Sequence, residues 1–477
     1  MSAKKDRVQA ANSRTNGADL KRAVSWVFNA SIFDEVRLHG NVNWTALALA
    51  QLAVLWVWSP DSSLVLAADA AVELARVMFG AAPVGSYQAL TNALKRYSVQ
   101  LLPILWRRLQ SLMEQCDEDK WRVGLWLALA MDGSRVGVPR TRQNEQRFCK
   151  PVGTRKKKAR KNKQRSRHAN RRKAAVGQKT HYDPQPVGPQ MWLTMIWHLG
   201  LNVPWCWKIG PSYSSERGHV LEMLAEHKYP SNTLFCGDAG FVGYDFWREI
   251  QDRGYHFLVR VGANVRLLKR LGYAREYDGI VYCWPDAAAK KKQLPLTLRL
   301  LHFHDRRGDV YLVTNILDAN DLTDAQASEI YRRRWGIELQ FRSFKQTFQR
   351  SKLRSRTPDC AEIELHWSLV GLWIIQLLAL KERTTLGEPD EQTSVAAAIR
   401  IIQKFMNNHS AIRPSIASLS KQLAGATTDR YERKSKKKSR NYPRRKEEPS
   451  AGKPKVKVAS TSHKRKLREI QHLGTAV

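Results

Sequence analysis

Three carboxylates stand where a metal-dependent reaction would need them: Asp132, Asp238 and Glu338. Asp132 closes the apolar run RVGLWLALAM, and Asp238 sits between glycines in CGDAGF. An ionised carboxylate at the end of a buried strand is costly unless it caps a turn or holds a cation. Read alone, each aspartate is more often a turn residue than a ligand. Brought to one point with a third carboxylate, they supply the hard oxygen ligands that Mg²⁺ takes. Two such ions about 3.5–4 Å apart activate an oxygen nucleophile and stabilise a leaving oxygen, which is what phosphodiester chemistry at neutral pH requires.

Glu338 has a distinctive setting. Tyr331, Arg334, Glu338 and Lys345 follow the spacing Y-x2-R-x3-E-x6-K. At about 100° per residue they fall in one sector about 60° wide on a helix. Glu338 would face the centre, with Arg334 and Lys345 one and two turns away to hold phosphates. The same stripe also reads as a solvated face with i,i+4 ion pairs. Gly336 lies inside this helix and costs roughly 1 kcal/mol relative to Ala, which argues mildly against a purely structural helix. Thr323 and Gln326 have capping-box spacing at its start.

The elements that must position these groups follow from periodicity. Residues 21–122 read as helices, broken by Ser59-Pro60 and by a Gly/Pro segment at 80–85, with Ser86 as an N-cap. From 123 short apolar runs predict strands: 123–131, QMWLTMIWHLG, VPWCWKIG, TLFCGDAGF and YHFLVRVG. Helices SSERGHVLEMLAEHKY and YDFWREIQDRG separate the last of them. Three strands, helix, strand, helix, strand suits an RNase H-like α/β layer, which sets the first and fourth strands side by side. RLLKRL, GIVYCW, LTLRLLHFH and DVYLVTNI then predict a β-rich insertion over 262–320. The long helix follows, then an apolar helix at about 361–382 and helices in 391–425.

The net charge of +37 is concentrated. Residues 153–179 hold 13 Lys/Arg and no acid; residues 430–468 hold 17 Lys/Arg and 3 acids. Such blocks are typically solvated arms for polyanions, or solubilising tails. Six scattered cysteines without a C-x-x-C argue against a zinc ribbon, and a reducing compartment fits. The N-terminus has no signal-peptide core. The apolar stretches 44–58 and 367–380 fall short of the roughly 20 residues that span a bilayer, so no membrane association is expected.

The Tyr331-Arg334-Glu338-Lys345 set resembles the signature of bacterial insertion-sequence transposases of the insertion-sequence-four type. The order of Asp in AMDGS, Asp in CGDAGF and Glu in the helix is similar too, and the likeness covers about residues 85–380. It implies a DDE transposase in which Asp132, Asp238 and Glu338 bind two Mg²⁺ ions, with Mn²⁺ able to substitute. Tyr331, Arg334 and Lys345 would contact transposon-end phosphates. Arg342 on the same helix, and Lys156, Lys157, Lys158, Arg171 and Arg172 of the basic block, are further candidate DNA contacts. Some relatives steady a flipped base on a tryptophan of the β insertion. Trp284, the only one in 262–320, is the candidate here, with ordinary sheet packing as the other reading. The resemblance also implies double-stranded DNA as partner, a homodimeric synaptic complex, and a cytoplasmic, nucleoid-associated bacterial protein.

The expected organisation is thus α/β. It comprises a disordered leader (1–20), a helical, DNA-binding domain (21–122) and an RNase H-like DDE core (123–385). Within that core fall a basic loop (153–179) and the β-rich insertion (262–320). C-terminal helices (386–428) and a disordered basic tail (429–477) complete it. The competing functions are a catalytically inactive or repurposed nucleic-acid-binding relative, a basic RNA-associated protein, and a hydrolytic nuclease on the same core.

Overall fold

The structure is a computed structural model that describes residues 15–29, 31–150, 188–305, 308–387, 392–410, 418–428 and 452–474. The basic block, with Lys156, Lys157, Lys158, Arg171 and Arg172, lies outside the described residues.

Four helices open the chain: α1 (Asn16–Val27), α2 (Ala46–Trp58), α3 (Leu64–Phe79) and α4 (Tyr87–Cys116). Hydroxyl caps start three of them. Thr15, Thr45 and Ser86 accept from Ala18, Ala48 and Ala89 at 3.1–3.2 Å. Helix α1 begins within the stretch expected to be a disordered leader. Leu20, Val24 and Val27 bury its apolar face, and Asn16 donates to the Asn408 carbonyl at 2.7 Å.

Strands follow: β1 (Leu127–Gly137), the short α5 (Arg142–Phe148), β2 (Gln190–His198) and β3 (Val203–Pro211). Then come α6 (Glu216–Glu226), β4 (Thr233–Gly237), α7 (Tyr244–Asp252) and β5 (His256–Val261). Strands β1, β2 and β3 pair antiparallel, while β1, β4 and β5 run parallel. Strand β4 is buried along its whole length, as a central parallel strand covered on both faces must be. The first and fourth strands are therefore neighbours.

The expected β-rich segment supplies β6 (Arg266–Lys269), β7 (Ile280–Cys283), the short α8 (Asp286–Lys290), β8 (Leu296–Asp305) and β9 (Gly308–Thr314). It does not form a separate layer. Strand β9 pairs antiparallel with β5, so the insertion extends the same sheet.

The signature helix is segmented. Its start is the predicted capping box, with Thr323 and Gln326 bonded reciprocally. Helix α9 (Asp324–Arg333) passes through Arg334, whose backbone stays right-handed, into α10 (Trp335–Arg342) and a π-helical turn, Ser343–Thr347. The π turn adds a residue per turn, so a uniform 100° spacing does not reach Lys345.

Helix α11 (Pro358–Thr385) is longer than the apolar run 367–380 suggested. By length and composition it is long and apolar enough to cross a membrane, but 94% of its apolar window is buried inside the protein. It packs on α2 and α4. The Trp58 indole donates to the Gly371 carbonyl at 2.9 Å and the Trp367 indole to Ser98 at 2.9 Å. A side chain at Gly371 would meet Val57 at 2.6 Å, so the helices touch backbone to side chain. The N-terminal helices thus share one core with the part of the chain that carries the sheet.

Helices α12 (Val395–Asn407) and α13 (Leu419–Ala424) follow. The tail expected to be disordered is ordered in part. Strand β10 (Lys455–Val458) pairs in parallel with β6, completing a ten-stranded sheet, and α14 (Thr461–Gly474) buries Leu467. Valines alternating with lysines in KVKV give it a strand period that the surrounding charge hid.

Gly336 owes its identity to packing. A Cβ there would lie 2.2 Å from the buried Trp197 ring. Gly336→Ala should destabilise the fold by about 1–3 kcal/mol in denaturant titration, although it raises helix propensity by about 1 kcal/mol. A gain in stability would remove this account of the glycine.

Candidate active site

Ala130 of β1 lies opposite Cys236 of β4 in the parallel ladder. Two residues beyond each comes an aspartate, Asp132 and Asp238, on the same sheet face by the two-residue period. Asp238 keeps extended backbone after β4 ends. The reading of Asp132 as strand-terminal is corrected, because β1 continues to Gly137 with Asp132 opposite Met195 of β2. What ends at that level is the pairing with β4.

Backbone amides hold both carboxylates. Gly133 donates to Asp132 at 2.8 Å, and Gly240 donates to Asp238 at 2.8 Å, capping the 3₁₀ turn Ala239–Phe241. A Cβ on Gly237 would press on Phe241 at 3.0 Å, so a larger residue there would crowd the turn. Burial pushes the Asp132 carboxyl up from 3.8 to about 7. The Gly133 amide and the Arg334 guanidinium oppose that rise, and the Asp238 and Glu216 carboxylates add to it.

Arg334 is the counter-charge at the centre. It is 8% exposed, its guanidinium lies 5.6 Å from the Tyr331 ring centroid, and it pairs with Glu338 at 3.3 Å. Burial works against its charge, but Tyr331, Cys236, Asp132 and Asp238 outweigh that and raise its pKa. Glu338 is therefore the more open carboxylate, 36% exposed and tied to Arg334. Tyr331 is half-buried, and burial raises its pKa. Lys345 donates to the Ser134 hydroxyl at 2.6 Å. Burial lowers its pKa and the field of Asp132 opposes that. The π turn thus returns Lys345 to the β1 side of the site.

The structure gathers Asp132, Asp238, Tyr331, Arg334, Glu338 and Lys345, and it leaves two candidates aside. Arg342 is exposed and lines a different cavity of about 920 Å³ with Arg332, Arg333, Trp335 and Leu339. Trp284, just past β7, is 6% exposed and its indole donates to the Gln293 carbonyl at 2.8 Å, so it is buried and offers no free face to a base. Glu216, at the start of α6, escaped the sequence reading. An acid in a first turn reads as a helix-dipole partner, and nothing in SSERGHV marks it as more. Burial raises its pKa and Asp238 adds to the rise, with Arg135 opposing.

The donor chemistry suits a hard divalent cation. Asp132 is crowded by two like charges and held near its titration point, a situation that a bound cation relieves. Among the described residues no three His, Cys, Asp or Glu side chains already converge as a metal cage. Glu338 is instead paired with Arg334.

Comparison with known proteins points to transposases. Residues 210–374, which include Asp238 and Glu338, match the family model described as Transposase DDE domain. The transposase InsG of insertion sequence element IS4 from Escherichia coli is 27% identical over 264 residues, 53% of this chain and 58% of that protein. A putative transposase of element IS4SA from Synechocystis is 23% identical over 183 residues, 37% of this chain and 48% of its own length. The chain thus spans about half the length of these curated relatives. A cryo-EM structure of a piggyBac transposase synaptic complex with hairpin DNA overlays 86% of this chain and 85% of its own, with 11% identity and a TM-score of 0.38.

The electrostatics make a prediction for metal-free protein. Because the folded-state pKa of Asp132 lies above its ordinary value, its ionised form destabilises the fold. That penalty is absent below about pH 4 and complete once pH has risen through about 7. With chelator present, Asp132→Asn should melt several degrees above wild type at pH 8. The gap should close towards pH 4. A constant difference across that range would contradict the assigned burial.

Proposed function

We propose that this chain, which carries a transposase DDE domain related to those of insertion-sequence-four transposases, is a DNA transposase that cleaves and joins strands at the ends of an insertion sequence. What carries the reading is the register of β1 against β4 within that setting, two aspartates side by side beneath a helix bearing Glu338. The β3-β2-β1-β4-β5 order with its parallel and antiparallel senses supports an RNase H-like core.

Asp132, Asp238 and Glu338 are the proposed ligands of two Mg²⁺ ions, with Mn²⁺ able to substitute. When bound, such ions activate the attacking oxygen and stabilise the leaving one. The residues of the chain do the rest. Arg334 balances the carboxylate charge and orients Glu338 until DNA is engaged. Lys345, beside Ser134, is placed to meet a phosphate oxygen, and Tyr331 braces Arg334 from below. The substrate is double-stranded DNA carrying terminal inverted repeats, engaged by a homodimer. The basic segments 153–179 and 430–468 supply sequence-independent phosphate binding.

Glu338→Gln should abolish strand cleavage of an end duplex in Mg²⁺ while leaving its binding within about twofold. Cleavage at the wild-type rate would sink the triad and favour a nucleic-acid-binding role without this chemistry. A second test concerns the basic block. Changing Lys156, Lys157, Lys158, Arg171 and Arg172 together to Gln should flatten the slope of log affinity against log salt by up to about 4. An unchanged slope would free those residues from DNA.

A further inference from the structure

We propose that Glu216 is a fourth carboxylate of the catalytic centre, holding a divalent cation together with Asp132 and Asp238. This rests on the reading of Asp132 and Asp238 as metal ligands.

The geometry is set by two glycines. Gly133 follows Asp132, and Gly240 donates the amide that caps Asp238. A Cβ on Gly133 would lie 2.6 Å from Glu216 Oε1, and one on Gly240 would lie 3.7 Å from Glu216 Oε2. One Glu216 oxygen therefore rests against the backbone just past the first aspartate, and the other faces the turn held by the second. Any larger residue at position 133 would evict the carboxylate.

Helix α6 is pinned in that position from both sides. Arg217 donates to the Val242 carbonyl at 2.7 Å, fastening the start of the helix to the segment that follows Asp238. One turn on, the His219 ring is hydrogen-bonded to Thr194 of β2 at 3.0 Å. The helix start does not need Glu216 as a cap, because the Ser215 hydroxyl already accepts from Gly218 at 3.3 Å. No hydrogen bond or ion pair to the Glu216 carboxylate is found among the described residues. The Arg135 guanidinium lies over the Trp192 ring, 4.9 Å from its centroid. A half-buried carboxylate held against two aspartates, with the field of Arg135 as a partial counter-charge but no direct ion pair among the described residues, is stabilised by a shared cation.

Glu216 also resolves the position of Glu338. While Arg334 occupies Glu338, the two aspartates and Glu216 still offer three carboxylates from β1, α6 and the turn after β4. In their present rotamers the three do not converge as a cage, so loading requires their side chains to turn. The DNA-free protein is then loaded through Glu216, and Glu338 joins when DNA draws Arg334 away.

The test is a Mn²⁺ titration of the full-length, DNA-free protein, following free Mn²⁺ by electron paramagnetic resonance. Glu216→Gln should weaken binding at least about tenfold, Glu216→Asp should recover part of it, and Asp132→Asn should lose it. Glu329→Gln, which removes an exposed partner of Arg333, is the control and should bind as wild type does. Thermal unfolding of each variant verifies that it folds. If Glu216→Gln binds like the control while Asp132→Asn does not, the fourth carboxylate is wrong and the aspartate centre stands. If both bind like the control, the aspartate centre fails with it.

Discussion

The site depends on one piece of backbone pairing, the parallel ladder between β1 and β4. It sets Ala130 beside Cys236 and so delivers two aspartates to one spot, at the level where the shared ladder stops. The electrostatic consequence is immediate. Half-buried carboxylates close together repel, and the protein answers with amides from Gly133 and Gly240 and with the Arg334 guanidinium. Even so, Asp132 stays near its titration point at neutral pH. A divalent cation placed between these carboxylates would relieve that repulsion.

The signature helix must be held over that spot, and its anchors lie away from the chemistry. Gln340 and Gln376 exchange hydrogen bonds of 3.0 and 2.8 Å, tying α10 to the buried α11. Beyond the π turn, the chain returns to β1. The Gly137 amide donates to the Ser351 carbonyl at 3.0 Å, and the Leu353 amide to the Gly137 carbonyl at 2.8 Å. The fully buried Glu364 accepts from the Arg354 and Ser355 amides and the Ser355 hydroxyl. Helix α11 is in turn clasped by α2 and α4. The N-terminal helices therefore act on the site through packing, whatever else they touch.

Much of this was legible in the sequence because it rests on local rules. Apolar runs of strand length gave the five core strands and the four of the insertion. A hydroxyl three residues before Gln326 gave the start of the signature helix, whereas the uniform stripe of the Y-R-E-K spacing, at about 100° per residue, ends at the π turn before Lys345. What was hidden needs tertiary contact. Composition marks residues 429–477 as disordered, yet a Lys/Val alternation at 455–458 finds an open edge on β6. Gly336 reads as a weak helix former until Trp197 is seen against it. Trp284 reads as a stacking platform until its ring proves to be buried just past β7. Glu216 is an ordinary first-turn acid until two glycines, more than 100 positions apart in sequence, are seen to make room for it.

The central claim is that the β1–β4 register builds a cation site from Asp132 and Asp238. The direct measurement is anomalous diffraction from crystals of the full chain grown with Mn²⁺ and an end duplex. The account predicts a manganese peak bonded to carboxylate oxygens of both aspartates. Manganese held by other side chains, with Asp132 and Asp238 unligated, would contradict it.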